Sequence, residues 1–346
     1  MIVKNEAAII ERCLKAAAPH INYWIICDTG STDGTQTIIR ETLKGIPGEL
    51  HEVPWINFGA NRTQAMDLAR DKADYTLMPD ADYELTVRLG FDWNSLAEDV
   101  YYITLKGDTA ISQYMLFANR KPWRWIDPVH ERAVCDEPHT IGILKDVAVV
   151  NHNDGSNERD DLAILMPQYE ADPGNPRTVF YIAQTWLARR ELEKALSWYE
   201  RRLKLESSFE EETWYAMLMR ARLMQQVGGE SPDRIRDAYF HTFCFRPHRL
   251  EPIAWLAQYC RLQGDYEAAF AFSSIAGTGA RYPEHDLLFI DRRIYDYILL
   301  YEFGLAAAVT RRIGVAKAAY ARLIESPAPE VNRSSLASAI QWAEGQ

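Results

Sequence analysis

The residues that could begin chemistry in this chain are acids placed behind short apolar runs. In "LMPDADYEL", residues 77–85, Asp80 and Asp82 flank a single alanine. Side chains two apart in extended chain point the same way, so the pair would offer oxygen donors side by side. Hard cations such as Mg²⁺ or Mn²⁺ take such donors and commonly bridge a carboxylate to a substrate diphosphate. The competing reading is a solvated polar loop. "CDTGSTDGT", residues 27–35, sets Asp28 before a Gly-Ser-Thr turn. A carboxylate there accepts from a base N–H or a ribose hydroxyl, with glycine allowing close backbone approach, or else it caps a helix.

Three further clusters carry ligands or bases. "FGANR" offers Asn61 and Arg62 at a helix start, where Arg62 would meet a phosphate or a base, or simply lie on the surface. "WIDPVHER" sets His130 and Glu131 beside Trp123 and Trp125. Bulky aromatics raise a carboxyl pKa toward that of a working base; the plain alternative is a surface His-Glu pair. His152, in "VVNHND", closes another apolar run and suits a third metal ligand, although a lone histidine is more often structural.

These residues need a scaffold that brings strand ends together. Up to about Asn151, strand-like runs ("NYWIICDTG", "ELHEV", "DYTLMPDAD", "VYYITLKG", "QYMLFAN", "DVAVVNH") alternate with helix-like ones early in the chain. In "STDGTQTIIRETL", Ser31, Thr32 or Asp33 would cap a helix carrying Ile38, Ile39 and Leu43 at helical spacing. "FGANRTQAMDLARDKA" reads as a helix with Ala65, Met66 and Ala69 on one side. Such alternation predicts a mostly parallel sheet covered by helices, whose ligands gather at the carboxyl ends of strands. Asp28 and Asp80 occupy such ends.

From Asp161 the pattern is nearly all helix, so the chain divides into an α/β domain, residues 1–160, and a helical domain, 161–346. "VFYIAQTWLARRELEKALSWYERRLKL" holds two amphipathic stretches with a break near Arg190. The pattern returns in "IAWLAQYCRLQGDYEAAFAFSSIA" and more weakly in "VTRRIGVAKAAYARLI". After each turn, Leu192, Tyr266 or Val315 is followed three residues later by Ala195, Ala269 or Ala318. Helix pairs of this kind stack in tetratricopeptide-type (TPR) arrays, although the spacing here is irregular and "QQVGGESPDR" reads as an insertion. A non-repetitive bundle is the alternative.

Bulk composition narrows the function. A net charge of −11 argues against broad binding to nucleic acid, leaving only a local basic stretch, "ANRKPWRW". The five cysteines (Cys13, Cys27, Cys135, Cys244, Cys260) lack metal spacing and read as small buried hydrophobes in a reducing compartment. No apolar run has membrane-spanning length and no signal-peptide core is present, so a cytoplasmic protein is expected.

Taken in order, "MIVKNEAAIIERCL", "DTGSTDGT", "NFGANRTQA", "ADYTLMPDAD", "VHE", "NH" and the helical repeats resemble the family 2 glycosyltransferases of GT-A (Rossmann-like) fold fused to TPR repeats, a bacterial group. The resemblance runs along nearly the whole chain. It implies an inverting transferase with a nucleotide-sugar donor, a UDP-sugar first among them, and Mn²⁺ or Mg²⁺ as cofactor. It further implies Asp28 and Arg62 at the nucleotide, Val3 and Glu6 at the base-binding edge, and Asp80 at ribose or metal. Asp82 would bind the metal directly, His152 would complete the metal site, and Glu131 would deprotonate the acceptor, with Asp127 as the next candidate base. The acceptor would be a saccharide, a peptide or another molecule, and the repeats would serve a protein partner or self-association. Thr29 stands where a second aspartate is commoner, Tyr83 where glutamate is frequent, and Asp127 where many relatives have glycine. The alternatives are a non-catalytic scaffold whose repeats recruit a partner, and a nucleotidyltransferase. The latter normally shows a Gly- and Arg/Lys-rich loop that "MIVKNEAAII" lacks.

Overall fold

A computed structural model of the chain describes residues 1–152, 160–277 and 279–346. It falls into two units, Met1–Ile164 and Leu165–Gln346.

The first unit opens with β1 (Ile2–Val3), α1 (Ile10–Ala17), β2 (Trp24–Asp28), α2 (Thr35–Thr42), β3 (Gly48–Glu52) and α3 (Phe58–Ala69). The three strands pair in parallel in the order β1-β2-β3, with Val3 opposite Asp28. Successive residues of β2 face opposite sides. Ile26 packs with Ile10, Cys13 and Leu14 of α1 and Ile39 of α2, while Cys27 packs with Ala65 and Met66 of α3. Two helices thus cover one face and one the other. Burying each of these large aliphatic side chains contributes about 1.5–3 kcal/mol. The helix over "TQTIIRET" begins at Thr35 behind Gly34, whose φ of 95° makes the turn. None of Ser31, Thr32 or Asp33 occupies the cap position, although Asp33 Oδ1 still accepts from the Thr35 amide at 3.1 Å.

The rest of this unit is β4 (Tyr75–Leu77), β5 (Tyr83–Val87), β6 (Val100–Lys106), β7 (Thr109–Ala118), β8 (Arg124–Ile126), β9 (Arg132–Val134) and β10 (Ile141–Asn151). The parallel order of the first sheet is not continued. β6 and β10 run parallel, while β5–β10, β6–β7 and β4–β7 are antiparallel, so this sheet is mixed. β8 and β9 form a separate hairpin. The stretch 118–125 is not a free basic patch: Arg120, Lys121 and Arg124 pair with Asp99, Glu137 and Asp136.

α4 (Asp161–Ala171) crosses the division between the units, and the second unit continues as α5 (Pro176–Ala188), α6 (Leu192–Arg202), α7 (Glu210–Val227), α8 (Pro232–Phe245), α9 (Glu251–Leu262), α10 (Tyr266–Ser273), α11 (Leu299–Val309), α12 (Ile313–Glu325) and α13 (Glu330–Glu344). Helices from α5 to α13 pack on their sequence neighbours. Three pairs, α5–α6, α9–α10 and α11–α12, share one turn. Arg190, Gly264 and Arg311 take the left-handed conformation, with φ of 60°, 80° and 63°. The next amide then reaches back to the preceding helix: Glu191 to Trp186 at 3.0 Å, Asp265 to Cys260 at 2.9 Å, Arg312 to Ala307 at 2.7 Å. This is the six-to-one closure of a left-handed helix cap. The fourth residue of each following helix is a fully buried alanine, Ala195, Ala269 or Ala316. In the third pair the expected register shifts by two, because α12 starts at Ile313; Ala318 is exposed.

All five cysteines are free; Cys13, Cys27 and Cys260 are buried as expected, but Cys135 is only partly buried and Cys244 is exposed. Among the described residues, no helix is long and apolar enough to cross a membrane.

Candidate active site

The site forms where three chain segments meet: the start of α3, the turn between β4 and β5, and the loop of the β8–β9 hairpin. "NFGANR" is built almost wholly for placement. Asn57 caps α3 by accepting from the Ala60 amide at 2.8 Å. Asn61 is fully buried and clamps the incoming chain, accepting from the Ile56 amide at 2.9 Å and donating to the Pro54 carbonyl at 3.0 Å. Gly59 lets the hairpin loop come close, since a Cβ there would lie 2.5 Å from the Asp127 carbonyl oxygen. Thr63 finishes the seam: its Oγ1 accepts from the Trp125 amide at 2.8 Å.

That seam aims Arg62. The side chain is buried, with its guanidinium 5.2 Å from the centre of the Trp125 ring. Nε donates to Glu131 Oε1 at 2.5 Å and Nη2 donates to Asp80 Oδ1. Burial alone would lower the pKa of Arg62, but Asp80 and Glu131 hold it above the ordinary arginine value. Arg62, Asp80 and Glu131 are therefore brought into one cluster. Asp127 lies in the same loop with φ of 73°, a left-handed conformation that strains a side-chain-bearing residue. Its carboxylate turns toward Arg132, 3.4 Å away. His130, also left-handed at φ 50°, pairs with Asp161 at 3.1 Å.

Asp80 and Asp82 lie in a turn closed by the Tyr83 amide on the Asp80 carbonyl at 3.1 Å, so extended-strand alternation does not govern them. Asp82 is half-buried and makes no ion pair among the described residues. Burial, then Asp80, holds its carboxyl above the usual range. Glu6 is pushed up to about 7 by burial, then by Asp82, Asp80 and Asp33. Carboxylates that crowd one another in this way suit a hard divalent cation. Among the described residues no group of three or more His, Cys, Asp and Glu side chains stands close enough to hold a metal alone. One or two carboxylates completed by substrate phosphate and water is the usual Mg²⁺ arrangement, and these residues fit it.

His152 does not join that pair. Its amide donates to the Asp82 carbonyl at 2.9 Å, yet its imidazole meets Glu84, with Nε2 and Oε2 2.6 Å apart. The antiparallel register that sets Asn151 opposite Tyr83 brings the backbones together and leaves the ring on Glu84. Tyr83 is buried in the sheet core, so the acid following Asp82 is Glu84.

Around Asp28 two loops are laced together. Val3 gives its carbonyl to the Thr29 amide and hydroxyl at 2.9 and 3.1 Å. Asn5, Glu6 and Ala7 donate their amides to Ser31 Oγ, Thr35 Oγ1 and Asp33 Oδ2 at 2.8, 2.8 and 2.9 Å. Asp28 itself is fully buried. Oδ1 accepts from the Gly30 and Ser31 amides at 3.0 and 2.8 Å, and Oδ2 from Gln36 Nε2 at 2.6 Å. Burial would raise its pKa, but the bonds from Gln36, Ser31 and Gly30 outweigh it and hold the carboxyl low. The Asp28 carboxylate thus organises the loop. Ser31 is expected only as a helix cap, and Asn5 and Thr35 carry no sequence signal beyond polar density beside a strand end.

Residues 1–88 match the family described as "Glycosyl transferase family 2". The chain is 32% identical over 141 residues to a "TPR repeat-containing protein" of Synechococcus elongatus. That match takes in 38% of this chain and 34% of the relative, so the chain spans about a third of that relative's length. Among solved structures, MamA is similar with 11% identity and a TM-score of 0.35, over 54% of this chain and 90% of that one. YrrB, titled a TPR protein with an unusual peptide-binding site, is similar with 15% identity and a TM-score of 0.37, over 52% and 90%. At such TM-scores these two likenesses add nothing to the helix pairing itself. The family match includes Glu6, Asp28, Arg62, Asp80 and Asp82 and ends before Asp127, Glu131 and His152. Residues 1–88 are thus similar to the family 2 glycosyl transferases, and the second unit is a run of helices packed on their sequence neighbours.

Proposed function

We propose that the first unit transfers a sugar from a nucleoside-diphosphate sugar, a UDP-sugar in the first instance, to an acceptor hydroxyl with inversion. The observation that carries this reading is the convergence of Arg62, Asp80 and Glu131 around one buried guanidinium. It joins a donor-side carboxylate to a candidate base from a distant part of the chain. In the reaction, Glu131 accepts the acceptor's proton as the acceptor oxygen bonds to the anomeric carbon. The bond from that carbon to the diphosphate oxygen breaks, and its electron pair leaves with the nucleotide. A positioned base of this kind contributes about 10²–10⁴-fold. A divalent cation, when bound, supplies charge neutralisation of the leaving diphosphate, and Asp82 with Asp80 would hold it. The laced loops of residues 3–7 and 28–35 would frame the nucleotide. Asp127 is the second candidate base, and five free cysteines suit a reducing, cytoplasmic compartment.

A panel of nucleotide sugars with Mn²⁺ or Mg²⁺ tests this by nucleotide release. Metal-dependent release from one donor, lost in Asp82→Ala, is expected. No binding or turnover of any donor, with or without metal, refutes the enzyme reading. The TPR-like helices favour a protein or peptide partner for the second unit, and a scaffold without catalysis is the reading that would then remain.

A further inference from the structure

Arg62 holds two carboxylates that belong to opposite sides of the proposed reaction. They arrive from distant segments, Asp80 from the β4–β5 turn and Glu131 from the hairpin loop. Exposure differs along the chain of contacts. The side chains of Arg62 and Glu131 are 8% and 11% exposed, whereas that of Asp80 is 39% exposed. Asp80 is thus the arm that solutes reach. A guanidinium is a rigid planar fork. Packed against Trp125, it cannot follow one carboxylate without altering its bond to the other.

We propose that Arg62 is a positioning residue that reports occupancy of the donor side to the base: a cation on Asp80 draws that carboxylate from Nη2, and the fork resettles on Glu131. This rests on the sugar-transfer reading and adds a coupling to it. Because the link is a shared fork rather than bulk charge, a lysine, with one ammonium point, keeps the charge and breaks the link.

The probe is Mn²⁺ alone, followed by electron paramagnetic resonance on the full chain. Glu131→Gln gives Arg62 wholly to Asp80, so Mn²⁺ binding should weaken by about five- to tenfold although Glu131 is no ligand. In the Arg62→Lys background the same substitution should change binding by less than about twofold. An equal effect of Glu131→Gln in both backgrounds overturns the coupling. No Mn²⁺ binding to the unaltered protein overturns the metal-dependent reading itself. Should Arg62→Lys fail to fold, the arginine Nε–H nuclear magnetic resonance signal that Glu131→Gln shifts can be followed in the unaltered protein. That signal must move on adding Mg²⁺, and a signal that stays put refutes the proposal.

Discussion

Replacing Gly59 with alanine would strike the seam that sets Arg62 against Glu131. The added Cβ lies 2.5 Å from the Asp127 carbonyl oxygen and 3.4 Å from both the Ile126 carbonyl carbon and the Trp125 carbonyl oxygen. Restoring an ordinary contact requires roughly 1 Å of movement, and the nearest atom is backbone, which cannot rotate aside. Overpacking of this kind costs about 1–3 kcal/mol, against at most about 1 kcal/mol gained from the helix propensity of alanine. For a unit of this size each kcal/mol is worth about 2–4 °C, so the first unit should melt several degrees lower in calorimetry. The hairpin loop moves with Asp127, carrying Glu131 away from its 2.5 Å contact with Arg62. A misplacement of about 1 Å can cost 10²-fold in rate, so transfer should fall further than nucleotide binding. A variant that melts at or above the unaltered protein would show that helix and loop do not approach as closely as described.

Asn57→Ala removes the cap on the Ala60 amide and should cost about 1 kcal/mol, read as a lower urea midpoint with an unchanged slope. Arg249→Met should cost about 3–5 kcal/mol in the second unit, because among the described residues it removes the one cation paired to buried Glu251, leaving it the Tyr295 hydroxyl, while Asp286 keeps Arg246 and His248; a loss below about 1 kcal/mol would mean that Tyr295 alone satisfies Glu251. For Glu6 the folded pKa, about 7, lies above the ordinary 4.5, so the native state binds that proton more tightly. Ionising it then costs stability as pH rises from about 4.5 to 7. Glu6→Gln should therefore raise the melting temperature at pH 8 and change little at pH 4, and an equal shift at both would refute the crowding of the acids.

The parallel sheet was legible because "WIICD" and the helices around it follow simple rules of period and burial. β5 was missed although Tyr83, Leu85 and Val87 alternate in the expected way. The spacing of Asp80 and Asp82 points to ligation, whereas the turn that holds them rests on a backbone bond from Tyr83 to Asp80 that composition does not carry. Arg62 was legible as a site residue, but its contact with Glu131 spans 69 residues and depends on the bare backbone of Gly59. His152 shows the limit of strand-end reasoning. The sequence offers it as a third metal ligand at a strand end, whereas the direction of its ring is set by β-sheet register and by Glu84. Asp28 could be read either as a ligand or as a loop organiser, and only its three donors decide where its oxygens are spent.

The left-handed joints at Arg190, Gly264 and Arg311 have a consequence for how such a chain grows. Each joint closes by bonds to its own preceding helix, so a helix pair carries its fastening with it. A pair can be duplicated, lost or exchanged as a cassette, and its neighbours need only offer a compatible face. Two of the three joints hold arginine where glycine would be free of strain. The sequence can therefore drift at the fastening while the backbone angle persists, and a period search finds little to count where the architecture still repeats.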